Sequence, residues 1–147
     1  MLKSLTSALL LATVCVLAAP PNASATTLTG KLVHVRDADT IEIATSRGRI
    51  AVRLNGVDAP ELNERGGQAG KRWMQNAYRN ATITCEFNGE KTYDRWVGVC
   101  WDKDGLDLGA AVIAAGHARD CPRYSGGRYR KFETPESRKH QQHNYCN

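Results

Sequence analysis

The five cysteines form no C-x-x-C pair, and no apolar run reaches the length of a bilayer span. The first absence argues against a zinc site. The second matters at the N-terminus, where Ala8 to Ala19 is apolar. Pro20, Pro21 and Asn22 cut that run short of the about 20 residues a membrane helix needs. No run of like charge, low-complexity tract or internal repeat is present either. The basic groups therefore matter only through where they fall, and the chain is no solenoid. Its 147 residues suffice for one domain with a real core and are too few for two.

Turning to what is present, Lys3, the apolar stretch and Ala23-Ser24-Ala25 compose a basic n-region, a hydrophobic region and an A-x-A cleavage site. Residues 1–25 are expected to be a secretory signal peptide, with the mature domain over 26–147. Export to the periplasm or exterior follows, with no stable membrane association once the leader is cut. Cleavage would remove Lys3 from a chain of net charge +5, leaving a mildly basic domain suited to a polyanionic partner. Four cysteines remain: Cys85, Cys100, Cys121 and Cys146. An even number in an exported chain argues for two disulfides, with three connectivities open. Cys85 and Cys100 lie on the arms of an expected hairpin, and Cys121 and Cys146 flank the C-terminal segment. That placement favours Cys85–Cys100 with Cys121–Cys146, each worth roughly 3 kcal/mol in the chain-entropy model.

Period-two alternation predicts strands over 26–35, 40–45 and 50–57, with a turn at Ser46-Arg47-Gly48. Residues 67–80 change period: Ala69, Trp73 and Ala77 share a face, predicting an amphipathic helix anchored by Trp73. Strands are expected over 81–87 and 96–101, joined by a polar loop from Asn88 to Arg95. A buried, Ala-rich helix is expected over 106–117, with His117 as a helix-end partner. Thr134-Pro135-Glu136 could open a short helix, threonine as its N-cap. Five strands with about three helices, the first three strands in meander order, predict a mainly β chain built on an OB-fold barrel.

The chemistry concentrates between Asp37 and Glu61. A hairpin over this stretch returns Arg53, Asp58 and Glu61 to Asp37 and Asp39. Carboxylates gathered in this way need a compensating cation, and oxygen ligands favour Ca²⁺ or Mg²⁺. Metal, carboxylate and arginine together describe attack on a phosphodiester. The metal would polarise a phosphoryl oxygen, Glu61 would take a proton from water, and arginine would neutralise developing charge.

Asp37-Ala38-Asp39-Thr40, the run from Arg53 to Glu61 (RLNGVDAPE) and Tyr93-Asp94-Arg95 closely resemble the staphylococcal nuclease family. The resemblance runs from about Val33 to Ala118. It implies an OB barrel and Ca²⁺-dependent cleavage of DNA and/or RNA. Carried over by position, Asp39, Asp58 and the Ala59 carbonyl would hold the metal, and Glu61 would be the general base. Arg53 and Arg95 would bind the scissile phosphate, Asp37 and Thr40 would support the ligands, and the chain would act as a monomer. Tyr93, Tyr124 and Arg123 are candidate nucleotide contacts. Ala38 departs from the glycine usual inside the first motif, so the turn there is expected to differ slightly. The cysteines have no counterpart in the staphylococcal enzyme. The competing reading is a catalytically silent OB module that binds nucleic acid or protein. Retention of Asp39, Arg53, Asp58, Glu61 and Arg95 favours the enzyme.

Overall fold

The computed structural model describes residues 25–147. The expected leader lies, but for Ala25, outside them. Five strands close a barrel: β1 (Thr26–Asp37), β2 (Thr40–Thr45), β3 (Gly48–Leu54), β4 (Thr82–Thr92) and β5 (Arg95–Trp101). Their order is β1-β2-β3-β5-β4, with β4 returning to pair with β1. All neighbours are antiparallel except β3 and β5, which run parallel through Val52↔Trp96, Arg53↔Val97 and Leu54↔Gly98. Leu32, Val35, Ile41, Ile43, Val52, Leu54 and Ile83 fill the interior, each no more than 2% exposed. This is the predicted OB-type barrel. Helix α1 (Gly67–Tyr78) lies beside β1, α2 (Leu108–Ala114) packs near β5, and a single-turn α3 (Pro122–Ser125) follows. Among the described residues no helix is long and apolar enough to cross a membrane.

Four expected elements come out differently. The third strand stops at Leu54 rather than 57, because Asn55-Gly56 turns the chain with Gly56 at φ 76°. Val57 and Asp58 then pair with Arg119 and Asp120 outside the barrel. The polar loop 88–95 is a hairpin instead. Strand β4 runs on to Thr92, and only Tyr93 and Asp94 turn, Tyr93 at a left-handed φ of 58°. Helix α1 buries Gly67, Gly70, Met74 and Tyr78, a face rotated from the Ala69–Trp73–Ala77 stripe. Trp73 is half-buried against the core, edge-on to Tyr78 and tilted over His117. Rotation puts the two glycines where the backbone comes closest. A Cβ on Gly67 would overlap the Glu61 carbonyl, and one on Gly70 would press on Ala38. Finally, α2 begins at Leu108, because the Asp107 side chain accepts the Gly109 and Ala110 N–H groups as an N-cap.

Ala38 itself is fully buried and not among the positive-φ residues. Its methyl group is accommodated by Gly70 opposite, so the substitution for glycine needs no unusual backbone. Near the C-terminus, Thr134 Oγ1 accepts the Ser137 N–H, and the short helix expected there is a 3₁₀ turn over Ser137–Lys139.

Candidate active site

Pairing of β2 with β3 sets Thr40 opposite Arg53, so the two ends of the 37–61 stretch do meet. Asp39 sits at that corner, 5% exposed. Its Oδ2 lies 2.9 Å from Arg53 Nη1 and accepts the Ala59 N–H at 3.0 Å. Its Oδ1 accepts the Thr40 hydroxyl at 3.1 Å. Asp37 Oδ1 accepts the Asp39 N–H at 3.0 Å. Burial first, and the Asp39 carboxylate second, push Asp37 up to about 7. Arg53 Nη1 also donates to the Val57 carbonyl at 2.8 Å and the Leu54 carbonyl at 3.3 Å. Burial opposes the Arg53 charge, yet Asp39 beside it, with Tyr145 and Asp37, holds the guanidinium above its ordinary value.

Arg95 arrives from the other hairpin. Thr92 and Arg95 close the turn, and Arg95 Nη1 donates to Thr40 Oγ1 at 3.1 Å. Thr40 therefore joins the two hairpins, donating to Asp39 and accepting from Arg95. Arg36 braces the turn from below. It donates to both Asp94 oxygens, at 3.0 and 2.6 Å, and through Nε to Glu42 at 2.7 Å. Arg49 holds the other Glu42 oxygen. Nothing about Arg36 in the sequence singled it out, since its partners lie on β2 and in the distant Tyr93-Asp94 turn.

Asp58, 2% exposed, meets groups that sequence reasoning missed. The Cys121–Cys146 disulfide ties the C-terminal segment beside the Val57–Asp58 pair, and that segment lays His143 and Tyr145 on the carboxylate. His143 Nδ1 lies 2.6 Å from Asp58 Oδ1, and the His143 backbone N–H donates to Oδ2 at 3.0 Å. The Tyr145 hydroxyl donates to Oδ1 at 2.9 Å and accepts from Arg53 Nη2 at 3.4 Å. The two rings stack, with centroids 5.2 Å apart and planes inclined by 8°. Burial opposes a charged His143, but Asp58, Glu64 and Glu61 raise it above its ordinary value. Cys146 carries the tail there only because its partner Cys121 donates its N–H to the Gly56 carbonyl beside Val57–Asp58, a pairing with no signal in the sequence.

A cavity of about 670 Å³ is lined by Arg53, Glu61, Tyr93, Arg95, Tyr124 and Tyr145 among others; Asp39 and Asp58 do not line it but touch Arg53 and Tyr145, which do. Glu61 is exposed there, its N–H held by Glu64 Oε2 at 2.7 Å. Tyr93 is 94% exposed, with the Arg95 guanidinium 5.9 Å from its ring centre. Arg123 is exposed on α3, its guanidinium 5.8 Å from the centre of the Tyr124 ring, and is not among the cavity's lining residues. Both favoured disulfides are present: Cys85–Cys100 joins directly opposed residues of β4 and β5, and Cys121–Cys146 anchors the tail.

Whether a hard cation fits can be read from the donors. A carboxylate has about four acceptor positions. Three on Asp39 and three on Asp58 are filled by the bonds above, leaving one on Asp39 Oδ1 and one on Asp58 Oδ2. Among the described residues no group of three or more His, Cys, Asp and Glu side chains converges on a metal site. Two acceptor positions could serve only an oxygen-preferring ion that keeps much of its water.

Fold and site together define a small OB-type barrel with an open cavity lined by tyrosines, two arginines and Glu61, and with two buried carboxylates held against lining residues Arg53 and Tyr145. No family model matches the chain. Over 106 residues it is 41% identical to the succinoglycan biosynthesis protein ExoI of Rhizobium meliloti (strain 1021), covering 65% of this chain and 53% of that protein. Over 89 residues it is 32% identical to an uncharacterized endonuclease of Escherichia coli O157:H7 and to another from Escherichia coli, covering 60% of this chain and 58% of each relative. The chain thus spans somewhat over half the length of the curated relatives it matches.

Proposed function

We propose that this protein is an exported, calcium-dependent nuclease of staphylococcal nuclease type that hydrolyses phosphodiester bonds of DNA and/or RNA. The observation that carries the reading is the meeting of Arg53, Arg95 and Glu61 in one cavity, with Asp39 against Arg53 and Asp58 against the lining Tyr145. The relatives named as endonucleases are consistent with it. Two disulfides suit an oxidising compartment outside the cytoplasm.

Asp39 and Asp58 would hold the calcium with the Ala59 carbonyl, and when bound it would supply Lewis-acid polarisation of a phosphoryl oxygen. Counting donors assigns the rest. Arg53 spends Nη1 on Asp39 and two carbonyls, but Nη2 meets only the Tyr145 hydroxyl at 3.4 Å, leaving an N–H for a phosphate oxygen. Arg95 spends Nε on the Thr92 carbonyl and one Nη1 donor on Thr40, leaving Nη2 for a second oxygen. Glu61 takes a proton from the attacking water as the new P–O bond forms and the ester P–O bond breaks, and the leaving oxygen takes its proton from solvent. The two guanidinium groups neutralise charge that grows on the phosphoryl oxygens. Tyr93 and Tyr124, both exposed at the rim, offer faces on which bases stack.

The test is purified, oxidised protein incubated with denatured DNA, with Ca²⁺ or with chelator. Calcium-dependent degradation, lost in a folded Glu61→Ala variant, is the expected result. Intact DNA with every divalent cation, alongside retained binding, would leave a silent nucleic-acid-binding barrel instead.

A further inference from the structure

We propose that the C-terminal segment is a working part of this site, with His143 and Tyr145 as positioning residues for Asp58 and Arg53. This rests on the phosphodiesterase reading and adds residues that neither the motifs nor the relatives' names assign. Three observations carry it. First, the contacts are specific and multiple: His143 gives Asp58 both its ring nitrogen and its backbone N–H, and Tyr145 adds its hydroxyl. Second, the Tyr145 hydroxyl bridges the two halves of the site, accepting from Arg53 Nη2 and donating to Asp58 Oδ1. The phosphate-clamping arginine and the cation-facing carboxylate thereby share one anchor. Third, the segment does not plug the site. It fills Oδ1 but leaves an acceptor position on Oδ2, and Tyr145, 41% exposed, stands as a wall of a cavity that stays open.

Outer-shell partners of this kind fix the orientation of a ligating carboxylate, and their loss typically costs about 10- to 100-fold in metal affinity or activity. The segment is held by the buried Cys121–Cys146 bridge, so the site is complete only in the oxidised protein.

Calcium binding by titration calorimetry, and kcat and KM on denatured DNA, would be measured for wild type and variants, with circular dichroism to monitor folding. Tyr145→Phe and His143→Ala should each weaken calcium binding and lower kcat by about 10- to 100-fold, with KM little changed. His143→Asn, whose amide nitrogen can stand where Nδ1 stands, should recover most of the loss. Cys121→Ser with Cys146→Ser should reproduce the combined deficit. Wild-type calcium affinity and kcat in folded Tyr145→Phe and His143→Ala, or faster turnover once the bridge is removed, would overturn the positioning role while leaving the nuclease reading intact. A wild-type protein that neither binds calcium nor cleaves would overturn both.

Discussion

At the scale of single residues, the site turns on which donors are already committed. Arg53 and Arg95 each hold one end of their guanidinium group against the barrel and turn another towards the cavity, where the proposed phosphate would meet it. Lysine cannot do both, because it is a point charge on a flexible stem rather than a planar fork. Arg53→Lys and Arg95→Lys should therefore each lose on the order of 10²- to 10³-fold in kcat on denatured DNA. Near wild-type turnover in either would remove that arginine from the assigned role. Arg36 belongs to a different category. It touches Asp94 and Glu42 rather than the cavity, so it holds the turn on which Tyr93 and Arg95 stand. Burial alone would push the Glu42 carboxyl up, but hydrogen bonds from Arg36 and Arg49 hold it below the ordinary range.

At the scale of elements, two close approaches position the chemistry. Gly56 turns the chain between β3 and Asp58, and a Cβ there would collide with Ser125 as well as meet a left-handed φ. Gly56→Ala should cost at least about 1–2 kcal/mol in urea unfolding from the backbone alone, and a cost near zero would show that the turn can rearrange freely. The strands of the 37–61 stretch were legible because Ile41, Glu42 and Ile43 alternate in the sequence, although all are buried in the barrel, and because Ser46-Arg47-Gly48 reveals a tight turn. Strand β4 was legible only as far as Phe87. Beyond it Asn88, Gly89, Glu90 and Lys91 are all exposed, so the hairpin tip has no apolar face to set a period. The face of α1 was misread for a related reason. Where two backbones nearly touch, glycine replaces the large apolar residue that a periodicity argument seeks. His143 and Tyr145 left no local signal, because a disulfide and a carboxylate 85 residues upstream, not helical or strand periodicity, decide where they lie.

For the whole molecule, the outer layer matters as much as the barrel. His117 packs on Trp73, and burial first, then the nearby His140, lowers its proton affinity from an ordinary 6.5. The unfolded chain then binds the proton more readily, so the contribution of His117 is present above its unfolded pKa and lost as pH falls through it. Between about pH 7 and about pH 5.5, wild type should lose more stability in urea than His117→Gln does; equal losses would exclude this residue as a source of acid sensitivity. The pairing of Asp58 with His143 has a temporal consequence too. It closes a loop of 85 residues, whereas the Cys85–Cys100 hairpin closes 15. Longer loops cost more entropy to close, so until the Cys121–Cys146 bridge tethers the tail this contact forms late. The barrel can therefore stand before the tail docks. In the native state the amide of His143 should exchange with solvent deuterium sooner than that of Ile41, making the last piece of the site to arrive also the first to leave.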